Sequence, residues 1–328
     1  MRPLPYGNVR RLICAVLLGV ALTAGSAIAQ DTFPNRPVRI IVPIPPGATA
    51  DSLPRIIAEK LSAKWGQPVV IENRPGAAQN IGAEAVARAE PDGYTLLATP
   101  PSPLTVNQSL YPKLGYDPAA FVPVTVMAQL PNVLMVHPKI SANNVAELIA
   151  YAKANPGKLT YASAGSGSTP HLSMELLKRL AGVEWVHVPY RGLAPALTDL
   201  IAGHVDMMID NLGNALGPVT SGRLKGLAVG SAKRIPQLPD VPAMAEIFPD
   251  FLSVTWFAII APPGTPPQLA EKLSADIREA INSPDVSKKF ADLSSTPVGS
   301  TPAETAAFIK EERERWQQVV RAAGIKPE

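Results

Sequence analysis

The stretch Tyr161-Ala-Ser-Ala-Gly-Ser-Gly-Ser-Thr-Pro-His-Leu172 gathers two glycines, three serines and a histidine where a strand should hand over to a helix. Ser168 or Thr169 suits the helix cap, and Pro170 suits the first turn, where no backbone N–H is needed. Leu172, Leu176, Leu177 and Leu180 carry the helix on to Gly182. A helix start of this kind offers unpaired N–H groups and the positive end of the dipole, which together attract an anion. Gly165 and Gly167 allow close backbone approach, and Ser163, Ser166 and Ser168 add neutral donors around Ala164. The loop is therefore equipped to hold a carboxylate or phosphate without a cationic side chain. The alternative is an ordinary tight turn with a cap. His171, in the first helical turn, either donates to a ligand or locks the loop.

Two further loops run from a strand end to a helix start. In Pro43-Ile-Pro-Pro-Gly-Ala-Thr-Ala-Asp51, Pro46, Gly47, Ala48 and Thr49 form a candidate second grip, and Asp51 is expected to cap the helix, since a carboxylate facing an anion would repel it. In Asn73-Arg-Pro-Gly-Ala-Ala-Gln-Asn-Ile-Gly82, Gln79 and Asn80 are candidates to face a cleft, with Asn80 also a possible helix cap. Arg74 either pairs an anion or clamps the loop. Thr99, just after the third strand expected over 95–98, is a further candidate ligand contact. Asp210-Asn211 ends a buried strand, where the pair either reads a polar ligand group or makes a turn.

Catalytic and metal chemistry find little support. There is no G-x-S-x-G elbow, no H-E-x-x-H, no P-loop lysine and no third glycine for a dinucleotide fingerprint. His171 and Glu175 have metal-capable i,i+4 spacing, but two ligands alone are weak grounds. No cofactor or metal is expected, and no catalytic residue is assigned.

Arg2, Arg10 and Arg11 precede an apolar run from Leu12 to Ala24, and Ala27-Ile28-Ala29 supplies a cleavage signal. This reads as a secretory signal peptide cut near Ala29, by the general or the twin-arginine route. The only cysteine, Cys14, lies inside it, so the mature chain has no disulfide. The leader also holds three of the 30 basic residues and none of the 27 acids. The mature chain is thus balanced at 27 of each, which gives no basic field for nucleic acid or anionic membrane.

Short β-branched runs alternate with helical patterns in two halves, which predicts α/β lobes with largely parallel sheets. The chain is expected to pass between them near residues 124–131 and again near 226–231. That gives lobe I as 30–127 with 232–328, and lobe II as 128–231, after a leader of 1–29. Ligands of open parallel sheets bind beyond the strand C-termini, so both sets of loops should surround one cleft. Capping boxes are expected at Asn144, Thr265 and Thr301, and the run 311–315 should be a solvated face of i,i+4 pairs.

Several segments then become recognisable together: Pro37-Val-Arg-Ile-Ile-Val-Pro43, Val70-Ile-Glu-Asn-Arg-Pro-Gly76, Ile81-Gly-Ala-Glu-Ala-Val-Ala87, Pro91-Asp-Gly-Tyr-Thr-Leu96, the 161–172 loop, His187-Val-Pro-Tyr-Arg-Gly192, Ala194-Pro-Ala-Leu-Thr-Asp-Leu200 and Leu238-Pro-Asp-Val-Pro242. In this order they resemble the Bug family, the substrate-binding proteins of tripartite tricarboxylate transporters. The resemblance spans essentially the whole mature chain. It implies a two-lobed periplasmic binding protein of the type II class, hinged on two crossing strands. It also implies a non-catalytic, monomeric receptor for a small di- or tricarboxylate or aromatic acid, partnered by membrane permease subunits. In that family the first loop and the Gly/Ser loop close on one carboxylate like pincers, a role that carries over to residues 46–50 and 163–168. Three departures bear on the far end of the ligand. Ile44 stands where an aromatic is usual, Gly47-Ala48 where Gly-Gly is common, and Ala78-Gln79 replaces a glycine pair. A second reading is the same binding fold used as a sensor component that presents its ligand state to a membrane kinase. An enzyme acting on an acid is a third reading, opposed by the missing catalytic groups.

Overall fold

The computed structural model describes residues 33–325. The signal-peptide expectation falls outside them. No helix among the described residues is long and apolar enough to cross a membrane.

The architecture turns on one strand. β4 (Val122–Val136) is 15 residues long and takes part in two sheet halves in succession. In the first half, β1 (Val38–Val42) lies between β2 (Val69–Asn73) and β3 (Thr95–Thr99), all parallel. Then β9 (Val254–Ala261) runs antiparallel to both β3 and β4, giving the order 2-1-3-9-4. In the second half, β7 (Met207–Asn211) and β8 (Lys225–Val229) pair antiparallel with β4. Parallel β5 (Thr160–Ser163) and β6 (Val186–Pro189) extend the sheet from β7. The two-residue β10 (Thr296–Pro297) borders the first half.

The changeover falls at Pro131 and Asn132. Pairing with β9 ends at Pro131, whose missing N–H suits a place where one ladder stops. Pairing with β7 begins at Asn132. There the second crossing segment meets the first. The Asn132 N–H donates to Ser253 O (3.0 Å), Gly230 N–H to Asn132 O (2.6 Å), and Ser253 N–H to Gly230 O (2.8 Å). The Asn132 side chain adds two bonds, Nδ2 to Ser253 Oγ (2.8 Å) and Oδ1 from Thr255 Oγ1 (3.0 Å). A Cβ on Gly230 would sit 2.4 Å from Ser253 O, so only glycine permits this approach.

Helices cover the sheet faces where their apolar positions repeat. α1 (Thr49–Trp65) buries Leu53, Ile57 and Leu61 at four-residue spacing and ends in left-handed Gly66. α2 (Asn80–Ala87) buries Ala83 and Val86. Two four-residue helices, α3 (Ser102–Thr105) and α4 (Asn107–Leu110), follow β3. α5 (Val145–Ala154), α6 (Thr169–Ala181), α7 (Leu193–Ala202) and α8 (Leu212–Thr220) belong to the second half. α9 (Pro267–Asn282), α10 (Pro284–Asp292) and α11 (Pro302–Ala323) close the chain. The expected capping box appears in full at Thr301; at Asn144 the side chain caps the Glu147 N–H, but Glu147 Oε2 takes the Asn143 N–H instead of that of Asn144.

Elsewhere the observed structure differs from the expectations. The first helix begins at Thr49, not after Asp51. Asp51 lies in its first turn and accepts the Gly47 N–H from there (3.1 Å). Thr265 is not a cap. Its hydroxyl turns back to Pro262 O, and α9 starts at Pro267. The run 311–315 is not simply solvated. Glu312 is buried and accepts from the indole N–H groups of Trp256 (2.8 Å) and Trp316 (3.1 Å), with Arg315 as its counter-ion. Arg313 reaches Leu104 O and Pro118 O. Between 232 and 253 the apolar residues Leu238, Ala243, Met244 and Phe251 pack into the cores of the second half. The chain regains the first half at β9.

Removing the Asn132 side chain would leave Ser253 and Thr255 short of partners at a buried site, which costs about 1–3 kcal/mol. Asn132→Ala is therefore expected to lower the urea unfolding midpoint of the mature chain by a matching amount. An unchanged midpoint would show that the crossing bonds carry no stability.

Candidate functional site

The Gly/Ser loop is held rigid by its own groups. Ser163 ends β5 and is fully buried. Its Oγ accepts the Gly165 N–H (3.1 Å) and lies 2.7 Å from His187 Nε2. Ser168 caps α6 by accepting the His171 N–H, and its hydroxyl donates to Gly165 O (2.7 Å). The Gly167 N–H donates to His171 Nδ1 (3.1 Å). Of the two roles open to His171, the loop lock is the one this geometry displays. Burial first, then the neighbouring His187 and Lys178, push its pKa down to about 3, so it is neutral and a good acceptor. The His171 and His187 rings stack at 4.1 Å, and His187 stacks in turn on Tyr161 at 4.8 Å. Glu175 accepts the Tyr161 hydroxyl (2.6 Å) and pairs with Lys178. The His171–Glu175 spacing is thus used for packing, and no metal-ligating group of three occurs among the described residues.

The first half meets this loop directly. Ser102 Oγ donates to Gly167 O at 3.1 Å. A Cβ on Gly167 would lie 2.5 Å from Leu110 Cδ1, and its φ of 78° is the left-handed region that favours glycine. Leu172, one turn into α6, is buried among Val106, Leu110, Trp316 and Val320 of the first half. Burying one leucine contributes roughly 1.5–3 kcal/mol, a substantial closing force.

Behind α4 lies a turn of unusual backbone. Ala77, Ala78 and Gln79 have φ of 45°, 49° and 76°, a run of left-handed residues without glycine. Each such residue costs on the order of 1–3 kcal/mol, so the surroundings must hold it. Asn107 Nδ2 does so, donating to Ala78 O (2.9 Å) and Asn80 Oδ1 (2.6 Å). Asn80 Oδ1 also accepts the Tyr116 hydroxyl (2.8 Å), so its side chain does not cap α2.

A third contact crosses between the halves. Thr49 Oγ1, at the start of α1, donates to Asn214 Oδ1 on α8 at 3.5 Å. Asn214 Nδ2 faces both oxygens of Asp210 (3.3 and 3.4 Å), and the Asn211 N–H donates to Asp210 Oδ1 (2.6 Å). Gly213 is tight here too: its Cβ would fall 2.7 Å from Leu293 O and 2.9 Å from Thr49 Oγ1. Asp210 is completely buried with no cation beside it, and burial pushes its carboxyl up to about 7 against the hydrogen bonds from Asn211 and Asn214.

The nearby cations are already committed. Arg55 bonds Asp51 (2.9 and 3.0 Å) and Asn73 (2.8 Å), and Arg74 pairs with Glu72 at 2.6 Å, which is the clamp role. Burial alone would raise the Asp51 carboxyl, but hydrogen bonds from Arg55, Asn73 and Gly47 outweigh it and hold it below its ordinary value.

The sequence-derived candidates thus fall into groups. Ser163–Ser168 with His171, Thr49 with Asp210, and Gln79 with Asn80 each join contacts at or beside the junction of the halves. Ala164 and Ser166 are half-buried within the loop. Pro46 and Gly47 are exposed, Ala48 is the N-cap of α1, and Thr99 turns its hydroxyl back to Pro100 O. The oxygens Gln79 Oε1, Asn107 Oδ1 and Asn211 Oδ1 are buried without a hydrogen-bond partner among the described residues. Sequence reasoning missed Ser102, Asn107, Asn214 and Tyr116. The helices bearing Ser102 and Asn107 are one turn long, too short for any apolar period to announce them.

Two α/β halves joined at a strand crossover, with the Gly/Ser loop of one meeting the short helices of the other, define the two-lobed fold of periplasmic binding proteins. The profile of the tripartite tricarboxylate transporter family receptor matches residues 53–325, and the chain belongs to that family. Protein BugT of Bordetella pertussis is 41% identical over 324 residues, covering 97% of this chain and 99% of its own. Among solved structures, R. palustris Rpa4515 with adipate is 39% identical with a TM-score of 0.86, over 90% of this chain and 100% of that one. MatC from Rhodopseudomonas palustris, with bound malate, is 34% identical with a TM-score of 0.82, over 88% of this chain and 100% of that one.

The Asp210 carboxyl has an ordinary value of 3.8 and a folded value of about 7. Between those limits the unfolded chain ionises while the folded chain keeps its proton. The stability tied to this proton is complete below about pH 4 and is lost as the pH rises to 7, a change of a few kcal/mol at most. Asp210→Asn is isosteric and neutral. It is expected to melt above the wild type at pH 8, with the gap closing toward pH 4. A gap independent of pH would show that Asp210 does not hold a proton in the fold.

Proposed function

We propose that this protein captures a small carboxylate in the cleft between its lobes and delivers it to the membrane subunits of a tripartite tricarboxylate transporter. The supporting observation is the pair of junction contacts around a loop that presents a capped helix start, Ser102–Gly167 and Thr49–Asn214, with no cation committed to the space. The positive end of the α6 dipole and neutral hydroxyls suit a carboxylate there. Adipate and malate in the related structures support the same class of ligand. We take lobe I as residues 36–131 with 254–325 and lobe II as 132–253, so that both crossings lie at the Asn132 node. Closure is a hinge motion about that node, driven by contacts made only when the lobes meet. The reading is of a monomeric, non-catalytic receptor, exported to the periplasm after cleavage near Ala29.

A thermal-shift screen of small mono-, di- and tricarboxylates and aromatic acids tests this. A bound acid at 100 times its Kd should add about 2.7 kcal/mol of stability. A shift from neutral sugars and from no acid would refute the reading. Gly167→Val, which drives a side chain into Leu110, should fold yet show no acid-dependent shift. An unchanged shift in that variant would place the ligand elsewhere.

A further inference from the structure

Asn107 is fully buried, and its amide orientation is fixed by its neighbours. Both N–H groups of Nδ2 are engaged, one with Ala78 O and one with Asn80 Oδ1. Ala78 O is a main-chain acceptor that cannot exchange roles, and it fixes Nδ2 on that side, while the Tyr116 hydroxyl is shared between Asn80 Oδ1 (2.8 Å) and Pro103 O (3.1 Å). Flipping the Asn107 amide would break two hydrogen bonds and set oxygens against oxygens. Its Oδ1 is therefore an obligate acceptor, and it has no partner among the described residues. It looks across the junction: the space a Gly167 Cβ would fill lies 3.8 Å from it. Gln79 Oε1, one residue beyond the Ala78 that Asn107 pins, is a second unpartnered acceptor.

A buried acceptor without a donor forfeits its hydration with nothing in return, and natural structures rarely leave one so. A fully ionised, unsubstituted acid has nothing to offer it, since carboxylate oxygens only accept. We infer that Asn107 is a specificity residue whose Oδ1 accepts a hydrogen bond from a hydroxyl or ammonium group on the ligand, so that the protein selects hydroxy or amino acids over their unsubstituted parents. This rests on the carboxylate-receptor reading and narrows it. The preference comes from the asymmetry of hydrogen bonding: a site built around a polar partner loses most when that partner is missing.

The test is calorimetric titration of the mature protein with matched acids of three, four and six carbons. Each series contains the unsubstituted acid, its 2-hydroxy form and its 2-amino form. At the chain length that binds, a substituted member should bind at least tenfold more tightly than its parent. Asn107→Leu removes Nδ2 as well as Oδ1, so the readout is the ratio of the two affinities, which should fall to about one whatever the loosened turn does to both. A parent that binds the wild type as tightly as its substituted forms would overturn the inference, with Oδ1 then served by solvent. An equal loss for parent and substituted acid in Asn107→Leu would overturn it as well, since Asn107 would then act only through the fold. The wild-type comparison holds even if the variant folds poorly. If no acid of any series bound, the receptor reading itself would fall and this inference with it.

Discussion

The hydrogen bonds at Asn132 are the constraint on which the rest of the molecule depends. Two chain segments pass between the halves, and here two backbone bonds and two side-chain bonds tie Asn132 to Gly230, Ser253 and Thr255, with a third backbone bond joining Ser253 to Gly230. All of these groups are buried, so each bond must be made on folding or leave an unpaired polar atom in the interior. The crossing is thereby fixed in register to a single residue. Gly230 is required because its partner approaches to within a distance no Cβ tolerates. The two sheet halves follow one plan on either side of the crossing: three parallel strands beside β9 in the first and three beside β4 in the second.

The same node is tied to the loop that carries the candidate chemistry. Ser253 Oγ, already bonded to Asn132, lies 2.7 Å from Ser173 Oγ on α6. α6 begins at the Gly/Ser loop and carries Leu172 into the apolar pocket of the first half. One rigid helix therefore connects the crossing point, the loop and the apolar contact across the junction. A rotation about the node would move all three together. Away from the node the halves are held by an apolar plug of one leucine and by the hydrogen bonds Ser102–Gly167, Thr49–Asn214 and Arg315–Leu252, together about a few kcal/mol, the scale at which a ligand's differential affinity shifts a two-state equilibrium.

The sequence made the fold legible where apolar periods were long. The helix after Thr301 with its capping box, the start of a helix at Asn144, the Gly182 terminus and the βαβ order all appear as expected. It failed where a residue's role is set by a partner far away in the chain. Glu312 looks like one charge among several on a solvated face until two distant indoles are brought onto it. Asn107 sits in a one-turn helix with no pattern of its own, and its importance comes from Ala78, Asn80 and Tyr116. The segment from 232 to 253 carries few regular elements, so only its packing shows which core it completes. His171 was legible as a choice between two roles, and the bond from the Gly167 N–H to Nδ1 displays the loop lock.

The electrostatic character of the junction follows from what is absent near it and from what is neutralised. Arg55 and Arg74 are bound to carboxylates of their own lobe, His171 is held neutral by burial, and the Asp210 carboxyl is pushed up to about 7. A site assembled from dipoles, hydroxyls and amides exerts a weak, short-ranged pull on an anion. A site built on a fixed cation would hold its ligand through a charge that must be desolvated at every closure and matched again at every release. Neutral groups avoid that penalty. They also make discrimination depend on hydrogen-bond matching at defined atoms, because no strong monopole is present to mask a missing donor or acceptor. For a receptor proposed to hand its ligand on, that balance favours selectivity over raw affinity, and it places the burden of recognition on buried amides such as Asn107.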